Sequence, residues 1–195
     1  MKINFRDTNE DLIIALIEEW QEPSGPAATW NFDCGIVQGD IFSLPVDAFV
    51  SPANSMGVMD GGIDGYYSNT IGWHIGDRLR AMIAAEKYYG ELLVGEALMI
   101  PTDNEKFPYM ISAPTMRTPR LLGTPGAENV FLATRAAVGL ALSHNLESIV
   151  LPGMGTGCGA VPPKDAAYAM FSGCHSATKF WKARDDEADS KTDSP

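Results

Sequence analysis

No run of about eighteen apolar residues occurs anywhere in the chain, and the opening Met1-Lys2-Ile3-Asn4-Phe5-Arg6-Asp7 has no long apolar core. Neither a membrane-spanning helix nor a secretory leader is therefore expected, and the expected setting is a soluble protein of the cytoplasm. Cysteine is scarce: Cys34, Cys158 and Cys174 are three in number and widely spaced, which suits reduced thiols better than a disulfide framework. The three histidines, His74, His144 and His175, show no zinc-ligand spacing with them, so no metal is expected. Positive charge is in deficit, with 14 Lys and Arg against 25 Asp and Glu and a formal net charge of −11. A surface of that sign repels phosphate backbones, which argues against a protein that wraps nucleic acid. Also absent are an internal repeat, the Lys-Ser/Thr of a nucleoside-triphosphate loop and the Gly-x-Gly-x-x-Gly that opens a dinucleotide fold.

What the chain does have is a dense glycine-rich stretch, Asn54 to Ser68, with four glycines and two aspartates. Before it, Val46 to Ser51 is short, apolar and free of breakers, as a buried strand should be, and Pro52 ends the pairing. After it, Ile63, Tyr67, Ile71, Ile75, Leu79 and Ile83 recur every four residues, so a helical period begins near Ile63. Gly72 lies inside that stripe and predicts a break near Gly72-Trp73. A strand, a glycine turn and a helix N-terminus together form an anion site, because backbone N–H groups point outward and the helix dipole favours negative charge. Asp64 falls in the first turn of that helix, placed either for chemistry beside a bound anion or, with Asp60, for capping. Asn54 can contact a ligand hydroxyl or hydrogen-bond the backbone of its own turn.

The remaining elements alternate. Ile3 and Phe5 mark a first strand, Thr8 or Asn9 caps a helix from about Glu10 to Trp20, and Phe32 to Val37 is a second strand. Glu96 to Pro101 and Tyr109 to Ala113 are further strands, and Thr124-Pro125 opens a helix running to about His144. Ser148 to Leu151 is a short buried strand that leads into a second glycine-rich turn, Pro152 to Gly159, and Pro162-Pro163 starts a last helix. This order predicts an α/β fold with a mixed, largely parallel sheet and helices on both faces. Ligands then bind beyond the carboxyl ends of the strands, where two glycine loops about ninety residues apart can hold a diphosphate from two sides. With 45% hydrophobic residues, residues 1–182 are expected to form one domain. The acidic segment 183–195, which has no apolar period, reads as a disordered tail.

Gly39-Asp40-Ile41, Val46-Asp47-Ala48-Phe49-Val50-Ser51-Pro52-Ala53-Asn54, Gly61-Gly62-Ile63-Asp64 and Gly155-Thr156-Gly157, in that order, resemble the macro domain over roughly residues 37–177, with a strand–helix extension at 1–31. The resemblance implies a three-layer α/β/α sandwich that binds ADP-ribose, or an ADP-ribosylated substrate, without a cofactor. In many members it also implies hydrolysis of ADP-ribosyl linkages, and in others recognition without turnover. Carried over residue by residue, Asp40 accepts from the adenine amino group and the Ile41 N–H meets the ring. Asn54 binds the distal ribose, and Gly61, Gly62 and Ile63 offer N–H groups to the diphosphate and that ribose. Gly155, Thr156, Gly157 and Cys158 hold the diphosphate from the other side, and Asp64 matches the catalytic aspartate. Asp64 and Asn54 are thus the implied catalytic pair.

Two departures stand out. The usual Asn-Ala-Ala-Asn is Ser51-Pro52-Ala53-Asn54, and Gly159 stands where many hydrolases of the family carry an aromatic ring, leaving Tyr66, Tyr67 or Trp73 as possible replacements. Cys158 reads as a nucleophile or as a small side chain beside phosphate, Trp73-His74 as a recognition pair or as packing and surface. Arg117 and Arg120 read as phosphate contacts or as a solvated loop.

Overall fold

The computed structural model describes residues 1–28, 30 and 32–192. Its elements are β1 (Lys2–Asp7), α1 (Glu10–Gln21), β2 (Asp33–Gln38), β3 (Ala48–Ser51), α2 (Gly62–Ile71), α3 (His74–Ile83), β4 (Leu98–Pro101), β5 (Tyr109–Ser112), α4 (Ala127–Ser143), β6 (Ser148–Leu151) and α5 (Pro163–Thr192). One six-stranded sheet runs in the order β2-β1-β6-β3-β5-β4. Every neighbouring pair is parallel except β4 and β5, the mixed, largely parallel arrangement expected.

Side-chain alternation along the strands assigns the two faces. Ile3, Phe5, Ala48, Val50, Ile111, Ile149 and Leu151 pack with Leu12, Leu16, Val130, Ala137, Met170 and Phe171 of α1, α4 and α5. The intervening Phe49, Met110 and Val150 face the other way, onto Tyr67, Ile75 and Leu79 of α2 and α3. The result is three layers with helices on both sides. Among the described residues no helix is long and apolar enough to cross a membrane.

Local chemistry sets the element ends. Asn9 caps α1 through its side chain, which accepts from the Leu12 N–H. Gly72, at φ 131°, ends α2 and produces the expected break before α3. Thr124 and Pro125 do not open α4 directly; they belong to a 3-10 turn, Thr124–Gly126, that precedes it. One other expectation needs correction. The acidic segment is not without structure, because α5 continues as helix to Thr192, with only 193–195 outside the described residues. Its Ala, Glu, Lys and Arg residues extend a helix readily once packing has nucleated it. β1, which opens the chain, lies inside the sheet between β2 and β6.

Candidate functional site

The carboxyl ends of the five parallel strands open onto one cleft of about 840 Å³. Arg6 and Asp7 end β1 and Thr8 and Asn9 follow it, Gly39 to Ile41 follow β2, Pro52 to Asn54 follow β3, Thr115 and Met116 follow β5, and Gly153 and 155–159 follow β6. Asp60 to Asp64 and Tyr66, from the glycine turn and the start of α2, close the cleft. All the ligand-contact residues expected from the sequence are therefore brought to one place. Arg6, Asp7, Thr8 and Asn9 were not anticipated there, although their position at the end of a parallel strand is itself the signal.

α2 is pinned so that its first turn faces the cleft. The Tyr67 hydroxyl donates to the Val50 carbonyl at 3.1 Å and Ser68 Oγ to the Met59 carbonyl at 2.8 Å. Gly61 is the N-cap and makes no side-chain cap bond. The N–H groups of the first turn therefore lack intrahelical partners and point outward, as at any helix start. A Cβ at Gly61 or Gly62 would meet no atom within 4 Å, so these two glycines border open space.

Asp64 does not cap this helix, and neither does Asp60. The Asp64 side chain turns to the sheet, where Oδ1 accepts from Ser51 Oγ at 2.5 Å, and only 8% of the residue is exposed. Burial pushes its carboxyl up to about 6, opposed by the hydrogen bond from Ser51. A carboxyl that ionises near neutrality at the wall of a cleft can exchange a proton there. Asn54 takes the turn-organising role of its two readings: Oδ1 accepts from the N–H groups of Met56 and Val58, and Nδ2 donates to the Val58 carbonyl at 2.8 Å. One amide hydrogen is its remaining donor.

The second glycine loop is held from below by Asp7, whose carboxylate accepts from the N–H groups of Gly153 and Asn9, each at 2.8 Å. Its glycines have different tasks. Gly155 has φ 74°, and a Cβ there would lie 2.8 Å from Val130 Cγ2. A Cβ at Gly159 would lie 2.5 Å from the Gly155 carbonyl oxygen, while the Gly159 carbonyl accepts from the N–H groups of Leu122 and Gly123. The missing aromatic is thus a steric requirement of this loop. Gly159→Ala should lower unfolding free energy by about 1–3 kcal/mol, read in urea denaturation; an unchanged midpoint would show that the loop is free to rearrange. Of the three replacement rings, Tyr66 lines the cleft, Tyr67 is fully buried and Trp73 is exposed away from it.

At the other end, Asp40 Oδ1 accepts from the Phe42 N–H at 3.0 Å. Tyr66 also lines the cleft beside Asp40, and its phenol is held above its usual range by desolvation first and then by that carboxylate. Arg6 donates to Ser43 Oγ, which donates to the Asp40 carbonyl at 2.5 Å. Among the described residues lining the cleft Arg6 is the one cation, against Asp7, Asp40, Asp60 and Asp64. The two loop arginines are not there: Arg117 pairs with Glu91 on the surface, and neither it nor Arg120 lines the cleft. His74 Nε2 bonds the Thr102 carbonyl. Cys158 lines the cleft and is exposed, whereas Cys174 is buried in the core. Among the described residues no cluster of three or more His, Cys, Asp and Glu can hold a metal ion.

The sequence pattern of the Macro domain matches residues 50–170. A protein of Aquifex aeolicus is 38% identical over 138 residues, covering 71% of this chain and 78% of its own length. A macro domain-containing protein of Cupriavidus necator is 33% identical over 134 residues, covering 68% and 74%. Among solved structures, the Oceanobacillus iheyensis macrodomain with ADP superposes with a TM-score of 0.62 at 24% identity, over 71% of this chain and 72% of that one. A variant of that macrodomain has been solved with ADP-ribose. The macrodomain of Thermus aquaticus DarG superposes with a TM-score of 0.58 at 22% identity, over 71% and 87%. On the sequence match and the curated relatives together, the chain belongs to the macro domain family.

Proposed function

We propose that this protein binds ADP-ribose in the cleft and hydrolyses an ADP-ribosyl linkage to a protein side chain or a small ester. The observation that carries the reading is Asp64, buried at the wall of the cleft that both glycine loops line and held there by Ser51. The first-turn N–H groups of α2 and the backbone of 155–158 neutralise and orient the diphosphate, which matters in a cleft with four carboxylates and one cation. Asp40 takes the adenine amino group and the Ile41 N–H the ring, while Asn54 holds its loop and offers one amide hydrogen to the distal ribose. Ionised Asp64 accepts a hydrogen bond from a water. As the water oxygen bonds to the anomeric carbon and the bond from that carbon to the linked group breaks, the water's proton passes to the carboxylate, which hands it on to the departing group and returns to its ionised form.

The segment 1–31 acts as part of the same unit, since β1 supplies Asp7 to the second loop. The three free thiols suit a cytoplasmic setting. A second reading, a binding module without turnover, draws on the absent ring at Gly159 and on the bonds that commit Asn54 to its own turn. A release assay on mono-ADP-ribosylated protein with Asp/Glu, Ser and Arg linkages, and on ester substrates, decides between them: no product from any, with ADP-ribose still bound, leaves only the binding module. Asp40→Ala should weaken ADP-ribose by about 1.5–3 kcal/mol and lose the preference for adenine over other bases. Equal losses for every base would make Asp40 structural.

A further inference from the structure

Two buried serines stand behind the proposed catalytic carboxylate. Ser51 ends β3 and Ser112 ends β5, the two are paired in register, and both have 0% exposure. Phe49 and Met110, two residues earlier on each strand, face α2 and α3, so both hydroxyls point to that same layer. Ser51 Oγ donates to Asp64 Oδ1 at 2.5 Å, while Ser112 Oγ has no hydrogen-bond partner among the described residues. Alanine at either position would avoid burying a hydroxyl. A polar pair retained here, with one member orphaned, is a cost to folding that points to a role in the site.

We propose that Ser51 is a positioning residue: its hydroxyl fixes the Asp64 carboxylate by Oδ1 against the sheet and leaves Oδ2 as the oxygen that meets the cleft. This rests on the hydrolase reading for its consequence but not for its geometry. A rigid donor at one oxygen removes the side chain's rotational freedom, so the other presents a fixed direction to a water. The same bond favours the ionised form and opposes the desolvation that raises the group. No other charge takes part in that balance. Asp7, Asp40, Asp60 and Arg6 lie along the cleft, and the fully buried Tyr67 phenol on α2 is held well above its usual range and stays neutral.

The test is a carbon-13 carboxyl titration of Asp64 in the whole chain, its resonance identified by loss in Asp64→Asn, compared across wild type, Ser51→Ala, Ser51→Thr and Ser112→Ala. Ser51→Ala should raise the Asp64 midpoint by about one pH unit or more, the loss of a hydrogen bond to a charged group. Ser51→Thr, which keeps the hydroxyl, should restore it, and Ser112→Ala should move it less than Ser51→Ala. The acid limb of the hydrolysis pH profile should shift in parallel while ADP-ribose affinity stays within about twofold of wild type. An Asp64 midpoint that stays in place or falls in Ser51→Ala overturns the proposal, as does an acid limb that does not follow the midpoint. Because the titration needs no turnover, an inactive wild type would count against the hydrolase reading alone.

Discussion

Asp64→Asn will cut release of ADP-ribose by about 10²–10⁴-fold, the usual consequence of losing a positioned acid–base group, while making the folded chain harder to unfold at pH 7. The two effects come from one cause. Burial raises the Asp64 carboxyl from 3.8 to about 6, so the folded chain favours the protonated form. The associated stability is fully present below about pH 4 and is lost as pH rises through about 6. At about 1.4 kcal/mol per pH unit, the ionised carboxylate costs the wild type roughly 3 kcal/mol above pH 6. Asparagine removes that cost, so the stability difference between variant and wild type should open between pH 4 and 6 and hold constant above. Hydrolysis by the wild type should rise with a midpoint near pH 6, because the water needs the ionised group. ADP-ribose affinity should stay level or increase as a repulsion beside a diphosphate is removed. Urea denaturation and turnover from pH 3.5 to 8 measure both; a variant destabilised at pH 7 with hydrolysis intact would make Asp64 structural.

Gly157→Val should abolish ADP-ribose binding, by at least about 100-fold or 2.7 kcal/mol, with unfolding free energy within about 0.5 kcal/mol of wild type. Gly157 lines the cleft, has no positive φ, and a Cβ there would meet no atom within 4 Å. The isopropyl group therefore enters the space assigned to the diphosphate without disturbing the loop. Gly155 and Gly159 form the contrast, since a Cβ at either collides with the protein itself. Substitutions there should lower stability, whereas position 157 should lose ligand alone. Calorimetric titration paired with thermal melts on the folded variant reads the split. Retained affinity in a folded Gly157→Val would remove the second loop from the site.

Periodicity carried most of the fold. The four-residue recurrence from Ile63, broken at Gly72, became α2 and α3, and short apolar runs ended by Pro52 and Pro152 became β3 and β6. Those signals are local, so they survive in a single sequence. The errors were of two kinds. The acidic end of α5 carries no apolar stripe, yet a helix already packed at Met170 and Cys174 propagates through it, since adding a residue to a formed helix costs far less than nucleating one. Arg6 to Asn9 reach the cleft only because β1 inserts between β2 and β6, a pairing between residues more than 140 apart in the chain. Asp64 shows the same limit within the site. Its place in the first turn is readable from spacing; its hydrogen bond depends on which way β3 faces, and that is settled only when the sheet is assembled.

Titration of the wild-type chain with ADP-ribose in a calorimeter tests the central claim most directly, that the two glycine loops form a site for its diphosphate. Binding should be saturable at one site per chain, competed by ADP and not by adenosine at equal concentration, because the backbone donors of both loops address the phosphates. No saturable heat from the folded protein at millimolar ADP-ribose, equivalent to binding weaker than about 4 kcal/mol, would contradict it.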